Sequence, residues 1–188
     1  TDAFIRLPGE TRTSVKLVDP VAGQTTDLND RGLEPSGLEL AALLDTVEDL
    51  AGRHEWVVLA GSLPPGAPPQ TWADLVTISK AQGAKVALDA SGTGLALGIA
   101  AHPTLVKPNR HELAELVGAT LSDTRAIESA ARELVDQGVE EVAESLAADG
   151  ALFVTADESL LARPPEVEVA STVGGGDALV AGLVAGHC

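Results

Sequence analysis

The sequence predicts an α/β fold with a mainly parallel sheet, and three observations carry that prediction. Short apolar runs recur at 56–59, 86–88 and 105–106. Segments with apolar residues at helical spacing alternate with them, the pattern of βαβ units. Aromatic residues are only 2% of the chain, so the core must come from Leu, Val, Ala and Ile, which suits buried parallel strands and the helices that cover them.

The elements follow in order. Residues 13–17 alternate, with Val15 and Leu17 on one face and Ser14 and Lys16 on the other, the period of a half-exposed strand. Asp19-Pro20 through Gly23 reads as a turn and 25–28 as the returning strand, a hairpin projecting from the body. Ser36 with Glu39 three residues on is a capping-box pattern, and Leu40, Leu43, Leu44, Val47 and Leu50 continue it as a helix. Residues 56–59 form a short buried strand that runs into Gly61-Ser62-Leu63-Pro64-Pro65-Gly66. Trp72, Leu75, Val76 and Ile78 lie on the next helix. Strands at 86–88 and 105–106 end at Asp89 and at Lys107-Pro108. Ile127, Ala130, Ala131, Leu134 and Val135 mark a further helix, closed by Gly138.

In open α/β sheets, ligands bind beyond the carboxyl ends of the strands. Polar residues gather there: Ser62 after one strand, Asp89 and Ser91 after the next, Lys107 and Asn109 after a third. With a formal net charge of −16, the chain must hold any anionic substrate with a few placed cations, which singles out Arg12, Lys16 and Lys107. No Lys/Arg cluster suits a nucleic-acid duplex. No apolar run approaches the length needed to span a membrane. A single cysteine, Cys188, excludes an internal disulfide framework and fits a reducing cytoplasm.

The segment Ser171-Thr172-Val173-Gly174-Gly175-Gly176-Asp177 carries the most chemistry. Its glycines allow close backbone approach to a ligand. The apolar helix that follows places a positive dipole end at the same point, which makes an anion site. Asp177 stands beside that site, where a carboxylate could take a proton from an attacking hydroxyl. The plainer reading is a glycine turn with Asp177 as the helix N-cap. No P-loop pattern is present, and no G-x-G-x-x-G follows an early strand. In Lys107-Pro108-Asn109-Arg110-His111-Glu112-Leu113, Asn109 and Glu112 form a second capping box, and Gly118 ends its helix.

The segment Thr172–Asp177 resembles the G-A-G-D signature of PfkB (ribokinase-like) carbohydrate kinases, with Gly175 in the alanine position. Residues 107–113 are similar to the K-P-N-x-x-E-L segment of that family. Residues 9–17 resemble the G-x-T-R-x-N-x-K strand of its sugar-phosphate branch, the 1-phosphofructokinases and tagatose-6-phosphate kinases, with Ser14 in place of asparagine. Gly61–Gly66, Asp89-Ala90-Ser91-Gly92 and Thr26–Asn29 match further family segments in order.

The resemblance implies a three-layer αβα fold with a small β lid. It implies one ribokinase-like domain over 1–188, incomplete at both ends, with residues 10–30 supplying lid strands. It makes Asp177 the catalytic base and Gly174, Gly175 and Gly176 the anion hole. Lys107, Ser145 and Thr172 would contact nucleotide, and Arg12, Lys16 and Ser62 the sugar phosphate. Asn109 and Glu112 would organise Mg²⁺ through water.

The implied reaction is ATP-dependent phosphorylation of fructose 1-phosphate. Tagatose 6-phosphate or fructose 6-phosphate kinases are alternatives, as is a catalytically incompetent homologue. A cytoplasmic protein is expected, with a possible homodimer through the lid.

Two departures stand out. Ala147 occupies a glycine position in Ser145–Gly150. Glu144 falls inside a strand that should be apolar, where an unpaired carboxylate is costly, so residues 139–148 are expected to be displaced or disordered. The histidines at 54, 102 and 187 read as scattered surface residues.

Overall fold

The computed structural model describes residues 2–19, 24–146, 149–165 and 174–187. The turn at 20–23, Ala147, Ser171, Thr172, Val173 and Cys188 lie outside the described residues.

Strands β1 (Ser14–Asp19) and β2 (Gln24–Asn29) pair antiparallel, with Ser14 opposite Asn29 and Asp19 opposite Gln24. The hairpin is as expected, but β1 is exposed along its whole length rather than on one face. This two-stranded sheet gains no third strand among the described residues, so Val15 and Leu17 stay 45% and 53% exposed.

The body begins at helix α1 (Gly37–Ala51). Ser36 accepts from the Glu39 backbone, and Glu39 accepts from Ser36 N at 2.6 Å, which completes the capping box. There follow β3 (Trp56–Ala60), α2 (Thr71–Ala81), β4 (Lys85–Asp89), α3 (Gly92–Ile99), β5 (Leu105–Val106), α4 (Arg110–Val117) and α5 (Thr124–Asp136). The chain then forms β6 (Glu141–Ser145), β7 (Ala151–Thr155), β8 (Ser159–Ala162) and α6 (Gly175–His187). Strands β3 to β8 make one six-stranded sheet in chain order. β3, β4, β5 and β6 are mutually parallel, and β7 and β8 are antiparallel additions.

Alternation along the strands builds two cores. Val86, Leu88, Val106, Val142 and Val154 point to one face, where they meet Trp72 and Val76 of α2, Leu95 of α3, Leu113 of α4 and Leu134 of α5. Ala87, Leu105 and Ala143 point to the other, where they meet Val180 of α6, with Phe153 and Leu183 packed alongside. The result is a helix–sheet–helix sandwich.

Three features depart from the sequence reading. β3 is not buried: only Leu59 is, and Val58 is 47% exposed, because β3 is the edge strand among the described residues. Residues 141–145 are not displaced but form a fully paired inner strand, with Glu144 buried in it. A helix, α3, forms at Gly92–Ile99 despite three glycines. Two of these are needed for packing, since a Cβ on Gly94 would meet Trp72 Cδ1 at 2.5 Å and one on Gly98 would meet Leu88 Cδ2 at 2.5 Å.

Candidate active site

The parallel strands deliver their polar residues to one edge of the sheet. Lys107 follows β5 directly, and its backbone N donates to Leu88 O at 3.1 Å. Its Nζ reaches Asp89 Oδ1 at 3.2 Å, with the two side chains only 8% and 19% exposed. Burial pushes the Asp89 carboxyl above its ordinary range. Lys107 pulls it back, and the negative charge of Asp177 adds a smaller push.

The first turn of α6 closes over this pair. A Cβ on Gly176 would lie 3.3 Å from Lys107 Nζ and 4.0 Å from Asp89 Oδ2, so only a bare backbone allows this approach without crowding. Gly174 turns into the helix at φ 77°, a conformation that favours glycine, and its carbonyl accepts from Ala178 N at 2.9 Å. Asp177 sits in the first turn with an exposed side chain. It is not the N-cap of the plainer reading, because the helix begins two residues earlier, at Gly175. Gly176 therefore meets Lys107 and Asp89 at the positive end of a helix dipole, with Gly174, Gly175 and Asp177 flanking it in the same turn.

Beside β5, Asn109 caps α4. Its Oδ1 accepts from His111 N at 2.9 Å and Glu112 N at 3.0 Å, and Glu112 Oε2 accepts from Asn109 N at 2.9 Å. Gly118 ends the helix in the left-handed conformation. Asn109 also bridges to Ser145 at the end of β6, which brings the two proposed motifs together.

Glu144 is completely buried behind them, and neither carboxylate oxygen has a hydrogen-bond partner. Burial pushes its carboxyl up to about 8, against the pull of Lys107 and Arg110 and with a further push from Glu112.

The arginine side of the site lies across the Ser62 loop. Arg12 donates through Nη2 to Ser62 Oγ at 2.9 Å. The two residues line a cavity of about 980 Å³ together with Arg6 and Arg31. Gly32, at φ 75°, packs on the Arg12 stem, where a Cβ would sit 3.3 Å from Cδ. Lys16 is exposed on β1 and is not among the residues lining this cavity. The two sides are joined by Gly61 N, which donates to Asp89 O at 3.1 Å.

Sequence reasoning missed Arg6 and Arg31, for which no local pattern exists. Only the fold of residues 3–12 against 31–43 brings them to Arg12. It also missed the role of His187, which is no isolated surface residue. His187 Nε2 lies 2.9 Å from Glu141 Oε2, and its ring is 5.5 Å from that of Trp56, at the far end of α6.

Residues 1–187 match the family described as pfkB family carbohydrate kinase. The chain belongs to that family. It is 47% identical over 184 residues to a 1-phosphofructokinase of Rhodobacter capsulatus, covering 97% of this chain and 58% of the relative. It is 38% identical over 183 residues to a 1-phosphofructokinase of Escherichia coli K12, again covering 97% of this chain and 58% of the relative. The chain thus spans less than two thirds of the length of these relatives.

Among solved structures, phosphofructokinase-2 of Escherichia coli in its tetrameric inhibited form superposes with a TM-score of 0.80 at 31% identity, over 90% of this chain and 56% of the other. A possible 1-phosphofructokinase of Thermotoga maritima superposes with a TM-score of 0.86 at 24% identity, over 97% of this chain and 58% of the other, a likeness of fold.

Proposed function

We propose that residues 1–188 belong to one ribokinase-like kinase domain, with the strands at 10–30 forming a lid, and that this domain transfers the γ-phosphoryl group of ATP to the 6-hydroxyl of fructose 1-phosphate. The observation that carries this is the packing of the Gly174–Asp177 helix mouth onto the buried Lys107–Asp89 pair at the strand ends. The 1-phosphofructokinase relatives favour fructose 1-phosphate over tagatose 6-phosphate or fructose 6-phosphate as acceptor.

In this reading Asp177 accepts the proton of the acceptor hydroxyl as its oxygen bonds to the γ-phosphorus. The bond from that phosphorus to the β–γ bridging oxygen breaks, and ADP leaves. The backbone of Gly174, Gly175 and Gly176, at the α6 dipole, faces the charge that develops on the moving group. Lys107, Ser145 and Thr172 hold nucleotide. Arg12 and Ser62 grip the phosphate already on the sugar, in a fork that suits a phosphate, with Lys16 approaching from the lid.

The donor set near α4 fits Mg²⁺ in an outer-shell role. Asn109 Oδ1 and Glu112 Oε2 are committed to the cap, which leaves one oxygen of Glu112 free for a hydrated ion. Among the described residues no three acidic, His or Cys side chains converge into an all-protein cage. Mg²⁺ retains most of its waters in such sites. Bound there through water by Glu112, whose side chain Asn109 N holds in place, it would shield the phosphate charge.

The exposed Val15, Leu17, Val18 and Leu28 of the hairpin support a homodimer through the lid. A cytoplasmic setting is consistent with the supply of ATP. Among the described residues no helix is long and apolar enough to cross a membrane.

A coupled ADP-release assay tests the reading on full-length protein. Fructose 1-phosphate with Mg-ATP should turn over faster than either rival sugar phosphate. Asp177→Asn should lower kcat by about a thousandfold or more with the fold intact by circular dichroism. Absence of turnover with every sugar phosphate would identify an incompetent homologue instead.

A further inference from the structure

A second cavity, of about 380 Å³, lies between the Ser62 loop and the start of α3. It shares Ser62 and Pro64 with the arginine cavity but is otherwise separate. Its polar lining is unusual for so acidic a chain: it includes Ser62, Ser91, Thr93 and Trp72, and no carboxylate.

Ser91 is the N-cap of α3, yet its side chain makes no capping bond. The first hydrogen bond of the helix runs from Leu95 N to Ser91 O. The N–H groups of Gly92, Thr93 and Gly94 are thus left at the mouth without a capping side chain.

Trp72 supplies the independent observation. It is only 7% exposed, and it lines the cavity. Its indole N–H has no hydrogen-bond partner among the described residues, and it is not one of the polar atoms sealed from solvent. The ring edge that carries Nε1 is turned toward the first turn of α3, where a Cβ on Gly94 would come within 2.9 Å of Nε1. The ring of Trp72 is buried while its N–H, unpartnered among the described residues, stays open to the cavity, and such a polar tip normally finds an acceptor. An indole N–H only donates, so the partner it lacks is an acceptor.

We propose that this cavity binds a small tetrahedral oxyanion, a phosphate group, held by Trp72 Nε1–H, the Ser91 and Thr93 hydroxyls and the α3 N-terminus. A helix N-terminus with free N–H groups and convergent donors is the known chemistry for such a group. The site stands apart from the Lys107–Asp89 cleft and does not depend on the kinase reading.

The chain contains two tryptophans, so Trp56→Phe leaves Trp72 as the single fluorescent reporter inside the site. Inorganic phosphate, titrated at constant ionic strength, should change Trp72 emission saturably. Ser91→Ala with Thr93→Val should weaken that response about tenfold or more, and Arg12→Ala should leave it in place. A parallel titration with fructose 1-phosphate distinguishes a free anion from a phosphate carried on a sugar. Response to the sugar phosphate alone, lost with the Ser91/Thr93 pair, assigns the site to the sugar-borne group. Calorimetry with Trp72→Phe, which keeps the ring and removes the N–H, should show the same weakening. No response to either ligand, or a response indifferent to the Ser91/Thr93 pair and to Trp72→Phe, overturns the proposal.

Discussion

Lys107 Nζ rests 3.2 Å from Asp89 Oδ1 in a nearly water-free setting, with the side chains 8% and 19% exposed. Lys107→Met leaves the Asp89 carboxylate buried without its cation. Removing one member of such a pair costs about 3 kcal/mol, far more than a surface ion pair contributes. Urea denaturation should show that loss, and adding Asp89→Asn in the Lys107→Met background should restore much of it. A loss under about 1 kcal/mol would mean that water reaches the pair in solution.

Glu144 makes stability depend on pH in the opposite sense from most carboxylates. Its folded-state value of about 8 lies above the ordinary value of 4.5. The neutral side chain is tolerated in the core, and the charged one is not. Its favourable share is therefore complete below the ordinary value and is lost as pH rises toward 8. Across that window the folded protein should weaken by up to ~1.4 kcal/mol per pH unit. Glu144→Leu should remove the slope and raise neutral-pH stability by on the order of 3 kcal/mol. Denaturation midpoints at pH 5, 6, 7 and 8 for the two proteins decide the matter: parallel curves would contradict a neutral buried acid.

Glycines in two helices should respond oppositely to alanine. In α3, the Gly94 Cβ would strike Trp72 Cδ1 at 2.5 Å, part of a buried ring that cannot easily yield. Gly94→Ala should cost about 1–3 kcal/mol despite better helix propensity. In α6, Gly182 and Gly186 have nothing within 4 Å of such a Cβ. Gly182→Ala and Gly186→Ala should each add about 0.5–1 kcal/mol. Thermal melts of the three variants give the comparison directly.

Asn109 serves the fold and, in the proposed function, the ion. Asn109→Ala removes the acceptor of two backbone N–H groups and should destabilise by about 1–2 kcal/mol. Asn109→Asp keeps an acceptor in place and should hold stability near the parent value. If the residue only caps α4, Asn109→Asp will leave the Mg²⁺ dependence of turnover unchanged. A shift in that dependence at constant stability marks the second role.

Much of this architecture could be read from local pattern. Both capping boxes form as their spacing required, and Gly118 takes the left-handed turn that ends α4. The parallel order of β3 to β6 follows from short apolar strands separated by helices. What local pattern could not convey is which neighbour covers what. β3 reads as a core strand because Val57, Val58 and Leu59 are apolar, yet its place at the sheet edge leaves it half open. α3 is hidden by its glycines, whose purpose is visible only when Trp72 and Leu88 are in place. Glu144 is discordant in the sequence, but the chain accommodates it through neutralisation rather than by moving the strand. At the site, Lys107, Asp89 and the glycine run were legible because each ends an element. Arg31 was not, because it joins Arg12 through a loop contact some twenty residues away in sequence.

The amide of Gly61 is fastened to the carbonyl of Asp89 at 3.1 Å, one residue ahead of the hydroxyl that meets Arg12. The arginine mouth and the lysine floor therefore share a pivot. Substitutions in Gly61–Gly66 should accordingly be felt at both ends of the cleft.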